Sequence, residues 1–539
     1  MPPAIHTSPR KTLRQLLDGL PYDASPAAGP LEIAALAADS REVVPGTLFL
    51  ALPGTHVDGH AFVGQAIERG AAAVVVQAGH GIAGRSWPVP VVRVADSRQA
   101  AAAVAAAFWD HPEAALTLVG ITGTNGKTTV SFLVESMLRA AGLSPGVIGT
   151  VSYRYAGRQE AAPFTTPGPL ALFPVLARMR AAGVSHVVME VSSHALAQER
   201  VAGLRFQVAA FTNLTRDHLD FHGDMEAYFA AKARLFTEHL AAGGRAVVAL
   251  PARGAGGRPP AADWSDRLLA MLRQPLRCAI DQPVEVHAAA AGQTWEGIRA
   301  RIVTPAGVFD LGSPLVGSYN LANLLVAAGI GVGLGLPLAG IERGLAALAA
   351  VPGRLERVPC RAGVQVFVDY AHTPDALASV LGTLRELGPA RLVVVFGCGG
   401  DRDAGKRPQM GRIAGELADI VLVTSDNPRS EAPEAIMAAI ERGLAGSRLA
   451  RNRAELLLSQ PGRTGYDLVP CRRQAIATAV SLARPGDVVL IAGKGHETYQ
   501  IIGGSRRQFD DRLQARLATL AAMATGPAAP SDALGGQAA

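Results

Sequence analysis

Ten consecutive residues, Gly120-Ile-Thr-Gly123-Thr124-Asn125-Gly126-Lys127-Thr128-Thr129, have the types and spacing to hold a polyphosphate. Backbone N–H groups in a glycine-rich turn, joined by the N-terminus of a following helix, form a cradle for phosphate oxygens. Lys127 has the reach for the β- and γ-phosphates, and a threonine hydroxyl such as that of Thr128 can ligate Mg²⁺. The strict spacing G-x-x-x-x-G-K-[ST] would put its first glycine at Ile121, so this loop is a variant with glycines at 120 and 123. A chance glycine-rich turn is the bland reading. The strand-like run before it and the helical pattern after it oppose that reading.

Further along stand residues that suit a cation. Glu190 closes the apolar run Val187-Val-Met-Glu190-Val, the place where a strand delivers an acid to the carboxyl edge of a sheet. The row Asn213-Leu-Thr-Arg-Asp217-His218-Leu-Asp220-Phe-His222 is dense in oxygen and nitrogen donors. Alone, that row reads as a loop of satisfied polar groups. Beside a phosphate loop and Glu190, ion binding is the better reading. The residues by themselves therefore reach an ATP-dependent enzyme using Mg²⁺, with a separate carboxyl-terminal α/β domain offering a second ligand surface. What is phosphorylated does not follow from them.

The elements that must position these groups can be read from the apolar runs. Residues 1–98 alternate short strands and helices, including 47–52, 72–76 and 91–94. A helical stretch at 98–109 leads into a second segment, 99–350, in which 116–121, 185–191 and 207–212 read as strands. The third segment, 351–539, carries four apolar β-rich runs at 364–368, 392–396, 420–424 and 488–492, separated by helical stretches. Such alternation argues for parallel sheets covered by helices. The expected fold is a three-domain α/β protein with a central mostly parallel P-loop-type sheet, a Rossmann-like carboxyl-terminal domain and a small amino-terminal α/β domain.

Composition bounds the class. The 539 residues, at about 150 per domain, predict three to four domains. Hydrophobic residues at 49% support large cores and exclude a mostly disordered chain. The net charge of +6 suits an anionic small substrate and, without clustered basic runs, does not ask for nucleic acid. Cys278, Cys360, Cys398 and Cys471 lie far apart with no metal-ligand spacing, which fits a reducing cytoplasm. The amino-terminal residues lack the apolar core of a signal peptide. The uncharged stretch 314–341 would excite a hydropathy window, but Gly329, Gly331, Gly333, Gly335 and Pro337 are expected to break it into two short pieces, so no membrane span is expected. The loop 251–263 and the tail beyond Thr525 read as decoration.

Taken in order, further motifs accompany the loop: Glu190-Val-Ser192-Ser-His194, Asn213-Leu-Thr-Arg-Asp-His218, Tyr228-Phe-Ala-Ala-Lys232, Tyr319-Asn320-x-x-Asn323, Gly353-Arg354-x-Glu356 and Asp369-Tyr-Ala-His372-Thr-Pro-Asp375. Together they resemble the Mur ligases, which build the peptidoglycan stem peptide, over about residues 39–509. Asp39-Ser40-Arg41, Pro45-Gly46, Asp58-Gly59, Gly399-Gly-Asp-Arg402-Asp403, Asp426-Asn427-Pro428-Arg429 and Gly493-Lys-Gly-His-Glu497 narrow the resemblance to the branch that adds the third residue. The Asp-Asn-Pro-Arg tetrad is similar to that of the type adding meso-diaminopimelate rather than lysine.

The resemblance implies a reaction. A D-glutamate side-chain carboxylate attacks the γ-phosphate of ATP, and the resulting acyl phosphate is taken by an amine. It implies Lys127, Glu190, His218 and Lys232 as catalytic residues, with Mg²⁺ held by Thr128, Glu190, His218 and a Lys232 carbamylated by CO₂. From the sequence alone, Lys232 is a solvated or phosphate-facing lysine on a helix at 225–236. ATP would meet Gly123, Thr124, Asn125, Gly126, Lys127, Thr128, Thr129, Asn320, Asn323, Arg354, Asp369 and His372, and be shared across a domain boundary. The UDP-N-acetylmuramoyl dipeptide would meet Ala38, Ser40, Thr55, His56, Val57, Thr165, Thr166, Ser192, Gln198 and Arg200. The incoming diaminopimelate would meet Arg402, Asp426, Asn427, Pro428, Arg429, Gly493 and Glu497. A guanidinium makes two parallel hydrogen bonds to a carboxylate, so Arg429 and Arg402 are sensible detectors of the distal acid that lysine lacks. The implied partners are these small molecules, with neither nucleic acid nor membrane, and a cytoplasmic monomer.

This chain departs from the pattern in three places. Phe164 precedes Thr165 where a polar residue is common, Ala249-Leu-Pro-Ala follows a strand where an Asn/Asp-rich turn is usual, and 449–473 is longer than expected. The rivals are a lysine-adding or folylpolyglutamate synthetase-like ligase and a nucleotide-binding module without turnover. The tetrad and the Asp39-Ser40-Arg41 segment oppose the first pair. Lys232 with Glu190 and His218 opposes the module, which needs no second metal site.

Overall fold

The computed structural model describes residues 9–24, 29–54, 57–80, 86–252, 264–460 and 462–524. Its backbone packing groups into two units: Met1–Ala291 with Ala300–Leu311 and Ala322–Ala347, and Gly292–Arg299 with Gly312–Leu321 and Leu348–Ala539. The fold has three domains, each around its own sheet, two of them in the first unit.

The amino-terminal sheet orders its strands Tyr22–Asp23, Val91–Val94, Ala71–Gln77, Thr47–Leu50 and Ala35–Ala37. All neighbours are parallel except the Tyr22–Asp23 edge. The helix Ser97–Phe108 is started by Asp96, whose carboxylate accepts the Arg98 and Gln99 N–H groups that the helix would otherwise leave unpaired. Its Ala100, Val104 and Phe108 pack on Leu48, Leu50, Val75 and Val92.

The central sheet runs Arg158–Glu160, Tyr153–Tyr155, Pro145–Ile148, His186–Glu190, Thr117–Thr122, Phe206–Phe211 and Leu240–Ala249 before continuing through Leu276–Ala279 to three further strands. His186–Glu190 and Phe206–Phe211 flank Thr117–Thr122 in parallel register on opposite sides. The chain therefore leaves Thr117–Thr122 at the point where strand order reverses, and open α/β sheets bind ligands at such a crevice. These strands read as continuous apolar runs because both faces are covered. The antiparallel pair Tyr153–Tyr155 and Arg158–Glu160 is too short to show alternation in the sequence. It carries Arg154 onto Glu135 of the helix Lys127–Ala140.

The uncharged stretch folds as helices Ser318–Gly333 and Leu338–Ala347, so the break falls at 334–337. Gly329 and Gly331 do not break anything. A β-carbon at Gly329 would sit 2.9 Å from Val247 Cγ1, and one at Gly331 would sit 2.9 Å from Ile341 Cγ1. These glycines let the helix lie close on its neighbours. No described helix is long and apolar enough to cross a membrane.

The second unit holds a six-stranded sheet in the order Glu356–Val358, Gln365–Asp369, Val488–Ala492, Leu392–Phe396, Ile420–Val423 and Gly465–Leu468. Only the Glu356–Val358 edge is antiparallel. Separate apolar clusters cover its two faces. The long segment 449–473 supplies the helix Ala454–Ser459 and the sixth strand. Residues 253–263 and the tail from 525 lie outside the described residues.

Candidate functional site

The phosphate loop follows the strand Thr117–Thr122 directly. Gly123 (φ 142°) and Gly126 (φ 88°) take backbone conformations that cost other residues strain. Added β-carbons there would overlap Thr212 Oγ1 and Asn323 Oδ1, respectively. Gly126 caps the helix Lys127–Ala140, whose first N–H groups face the turn. The loop is tied to the segment after Phe206–Phe211: Asn213 O accepts from Thr124 N at 2.9 Å, Asn213 Oδ1 accepts from Asn125 N at 2.9 Å, and Thr212 Oγ1 donates to Asn125 O at 2.5 Å. Thr124 Oγ1 lies 3.1 Å from Tyr228 Oη. Lys127 Nζ folds back to donate to the carbonyls of Gly123 (2.7 Å) and Thr124 (2.8 Å), and Thr129 is buried behind the loop.

Glu190 is 1% exposed at the end of its strand. Its Oε2 accepts from Thr128 Oγ1 and Thr150 Oγ1, both at 2.9 Å, and its Oε1 accepts from Thr150 N at 2.9 Å. Only glycine at 149 leaves room for that carboxylate. Among the described residues no cation pairs with it. A buried carboxylate met by two hydroxyls and one backbone N–H, with no cation beside it, is a fit place for a metal ion, because an unpaired buried charge is costly. Thr150 gave no signal in the sequence; its loop position becomes meaningful only once the sheet is assembled.

Lys232, on the helix Met225–Thr237, is 1% exposed. Its Nζ donates to Gly123 O at 2.8 Å and lies 4.6 Å over the Tyr228 ring. Burial, reinforced by the charge of Lys127 and opposed by Asp217, holds its pKa well below the ordinary lysine value. A lysine so placed is biased toward the neutral amine. The solvated reading of Lys232 does not hold.

His218 (φ 54°) packs edge-on to His194 at 4.7 Å between ring centroids, and His222 lies 5.1 Å from the Tyr228 ring. Desolvation, to which His194 adds, pushes His222 down to about 4; His218, although its side chain is 47% exposed, is shifted in the same downward direction against the pull of Asp217. Both shifts favour the neutral imidazole, the form that ligates cations. His194 completes this cluster and was not singled out as a ligand from the sequence.

Next to Glu190, Thr166 Oγ1 donates to Glu190 O at 2.8 Å and accepts from Ser192 N at 3.0 Å. Thr165 Oγ1 lies 3.0 Å from Thr150 Oγ1. Arg200 donates to Thr166 O at 3.0 Å and to Gln198 Oε1 at 2.7 Å, so Thr165, Thr166, Ser192, Gln198 and Arg200 form one wall. Phe164 is 57% exposed and lies 5.3 Å beneath the Arg200 guanidinium. It thus supports the guanidinium face, a role that a polar residue would not fill.

In the amino-terminal domain Ser40 turns inward and donates to Gln65 Oε1 at 2.6 Å, beside a half-buried Ala38. Val57 is 59% exposed, and Thr55 and His56 lie outside the described residues. A third group, which no spacing in the chain announces, lies here: Asp58, His60 and His80 bring their ligand-type atoms within 4.8 Å of one another. This group is a structural clamp. His60 Nε2 accepts from Gln77 N at 2.9 Å, which obliges Nδ1 to carry the proton that Asp58 accepts at 2.6 Å. A metal on Nδ1 would break both bonds.

In the second unit Asp369 is buried with each oxygen accepting a backbone N–H, from Leu355 (2.6 Å) and Ala371 (2.7 Å); burial pushes its pKa up. The Arg354 guanidinium lies 4.4 Å over the Tyr370 ring, and His372 packs 4.5 Å from the same ring. Asn320 donates to Val316 O at 2.8 Å.

The carboxyl ends of Leu392–Phe396, Ile420–Val423 and Val488–Ala492 gather the remaining residues. Arg429 (φ 53°) is held by Arg429 N to Ile501 O at 3.1 Å and Gly503 N to Arg429 O at 2.9 Å, and its Nη1 donates to Gly400 O at 2.6 Å. No carboxylate pairs with it among the described residues. Strain of this kind in a residue other than glycine concentrates at functional sites. Asn427 Nδ2 donates to Glu497 Oε2 at 2.9 Å, while Asn427 Oδ1 accepts from Ile501 N at 3.0 Å. Gly493 (φ 113°) passes so near Asp426 that a β-carbon would sit 2.6 Å from its Oδ2. A β-carbon at Gly400 would overlap the carbonyl oxygen of Pro428. Arg402 is exposed and touches only the Asp401 carbonyl at 3.2 Å. Lys494, passed over in the sequence, is buried among these groups.

Three family descriptions match the chain: "Mur ligase family, catalytic domain" at residues 32–109, "Mur ligase middle domain" at 121–331 and "Mur ligase, glutamate ligase domain" at 353–495. A curated relative from Gloeobacter violaceus, named UDP-N-acetylmuramoyl-L-alanyl-D-glutamate--2,6-diaminopimelate ligase, is 47% identical over 90% of this chain and 94% of its own length. A relative of the same name from Geobacter metallireducens is 47% identical over 89% and 93%. A solved structure of a protein of that name superposes with a TM-score of 0.63 at 32% identity, over 92% of this chain and 97% of that one. A Mycobacterium tuberculosis folylpolyglutamate synthase, solved with ADP and AMPPCP, superposes with a TM-score of 0.57 at 20% identity over 79% and 94%, which shows a common fold.

Proposed function

The chain belongs to the Mur ligase family, and on that basis we propose that it joins meso-diaminopimelate to the D-glutamate side-chain carboxylate of UDP-N-acetylmuramoyl-L-alanyl-D-glutamate at the expense of ATP. The observation that carries this reading is the pairing of two ligand sets in one pocket. The strand Tyr499–Ile502 ties Arg429, a guanidinium with no acid partner among the described residues, to Asn427 and Glu497, an amide and a carboxylate suited to an ammonium. An amino acid with a distal acid and a distal amine meets both. Lysine would leave the guanidinium unmatched.

The chemistry begins in the first unit. Lys127 and the N–H groups of the loop neutralise and orient the transferring phosphoryl group. Thr128, Glu190, His218 and Lys232 would hold Mg²⁺, which when bound neutralises charge on the phosphate oxygens. Lys232 supports that set only as an anion. Its free amine can add to CO₂, forming an N–C bond and releasing a proton, and the carbamate then offers oxygens in place of a cation-repelling ammonium. The wall from Thr165 to Arg200 holds the carboxylated substrate. That carboxylate takes the γ-phosphoryl group and releases ADP; the amine then attacks the activated carbonyl, and phosphate leaves.

In this reading Arg354, Asp369, His372, Asn320 and Asn323 serve the nucleotide, and the domain boundaries fall at residues 98 and 350. Asp369 acts by pinning the backbone at Leu355 and Ala371, since both its oxygens are engaged. In this reading the reaction belongs to the cytoplasm, where UDP-linked precursors and ATP are made. The test is ADP release, which should require the muramoyl dipeptide and meso-diaminopimelate together. ADP release indifferent to both would refute the ligase assignment.

A further inference from the structure

Lys494 is the least expected residue of the carboxyl-terminal pocket. It follows the strand Val488–Ala492, and its side chain is 0% exposed. Gly493 (φ 113°) and Gly495 (φ 52°) flank it, and neither has room for a β-carbon: one would approach Asp426, the other the Gly353 carbonyl and Tyr370, both at 2.7 Å. The backbone is thus shaped to drive this one lysine inward. Its Nζ lies 3.1 Å from Glu497 Oε2, 3.2 Å from Asn427 Oδ1 and 3.8 Å from Asp426 Oδ1. The Tyr499 ring covers it at 5.5 Å.

Two features of this arrangement matter. Glu497 Oε2 accepts from both Lys494 and Asn427, while its other oxygen has no hydrogen bond among the described residues. The carboxylate is therefore fixed in rotation with one oxygen left for a ligand. Second, two carboxylates, Asp426 and Glu497, surround a single buried ammonium. The nearby Arg472 adds no free charge, because Asp511 neutralises it through bonds of 2.8 and 2.7 Å. Lys494 supplies one positive charge against the two carboxylates it touches, which leaves one negative charge for a ligand ammonium, while Arg429, whose Nη1 donates to Gly400 O, is left for the ligand's distal acid. A low-dielectric site in that condition favours a cationic ligand group and disfavours a neutral one.

We propose that Lys494 is the positioning residue that fixes Glu497 and Asn427 and sets the local charge so that the pocket takes an amino acid carrying a distal ammonium. Lys494 does not itself touch that ligand. Its hydrogen bonds go to Asn427 and Glu497, with the Asp426 carboxylate beside them at 3.8 Å. Without it, two carboxylates face each other uncompensated, Glu497 loses its fixed rotamer, and the amine-binding oxygen is no longer held in place. The inference rests on the assignment of this pocket to the incoming amino acid.

The test uses the full-length enzyme and the complete reaction. Lys494→Met, Lys494→Gln and Lys494→Arg are compared with wild type, each after its thermal unfolding has been recorded. For Lys494→Met and Lys494→Gln the KM for meso-diaminopimelate should rise about 30- to 100-fold, as for a broken buried charge pair, while the KM values for ATP and the muramoyl dipeptide stay within about twofold. Lys494→Arg, which keeps the charge, should fall between them and wild type. A merely structural lysine would move all three KM values and kcat together, and that result would overturn the proposal, as would an unchanged KM for the diamine. A wild-type measurement stands whatever the variants do. 2-Aminopimelate, which lacks the distal ammonium, should compete with meso-diaminopimelate at least about 30-fold more weakly than unlabelled meso-diaminopimelate itself, and equal competition would refute the charge argument. If wild type accepts L-lysine as readily as meso-diaminopimelate, the assignment of the pocket fails instead, and the two failures are told apart.

Discussion

Lys232 Nζ donates to the Gly123 carbonyl at 2.8 Å, so a fully buried amine sits beneath the turn that is built to hold phosphate. A charged lysine there would repel any metal ion brought by ATP, and burial together with Lys127 disfavours that charge. Lys232→Ala should lower kcat by at least about 100-fold, a loss typical of removing one group that stabilises transferring charge. Added formate or acetate should restore part of it. Intact mass under CO₂ should show one CO₂ adduct on wild type and none on the variant. A fully active Lys232→Ala would remove the carbamate from the account.

Glu190 organises two threonines at once, Thr128 from the phosphate loop and Thr150 from the neighbouring strand end. Glu190→Gln keeps the volume and loses the negative charge. We expect kcat to fall about 100- to 1,000-fold with little change in thermal midpoint, since the amide can still accept from one hydroxyl. The dependence of rate on Mg²⁺ should shift to higher concentration. An unaltered Mg²⁺ dependence would take Glu190 out of the ion site.

Two glycines outside the ends of the helix Lys127–Ala140 separate strain from collision. At Gly123 (φ 142°) a β-carbon would overlap Thr212 Oγ1, whereas at Gly142 (φ 78°), past the far end of the helix, nothing lies within 4 Å. Gly142→Ala should cost about 1 kcal/mol, the left-handed backbone penalty alone. Gly123→Ala should cost about 1–3 kcal/mol and also abolish ATP binding, because the loop must shift. Chemical denaturation and nucleotide titration of the pair check this; equal losses would contradict the close fit of the loop.

Burial and the charge of Arg354 push His496 down to about 3, from about 6.5 for an unfolded histidine. Between these values the unfolded chain binds a proton that the folded chain refuses. Stability must therefore fall as pH drops from about 6.5 toward 3, and this contribution vanishes above about 7. His496→Asn should flatten that part of the profile of unfolding midpoint against pH. A variant as acid-sensitive as wild type between pH 6.5 and 4 would show that His496 titrates normally.

Much of this was legible in the residues. The phosphate loop was, because its chemistry demands a fixed spacing within one turn. So were the strands of the third domain, whose residues are apolar on both faces and leave four unbroken runs. Glu190 was legible because the acid ends such a run. What escaped depends on partners distant in sequence. Thr150 matters only because Pro145–Ile148 lies beside His186–Glu190. Gly329 and Gly331 looked like helix breakers, yet their absent side chains allow close packing against Val247 and Ile341. Phe164 looked like a lost contact until Arg200 was found above it. Lys494 sat inside a noted motif, but nothing local reveals that its ammonium is buried between the Asn427 amide and the Glu497 carboxylate, 67 and 3 positions away.

The pocket's central claim concerns the distal acid, so the most direct measurement compares kcat/KM for meso-diaminopimelate and L-lysine on wild type and on Arg429→Ala. Wild type should prefer meso-diaminopimelate by at least about 100-fold, and Arg429→Ala should lose most of that preference through KM with ATP kinetics unchanged. Equal use of the two amino acids by wild type, or a preference untouched by removing Arg429, would contradict it.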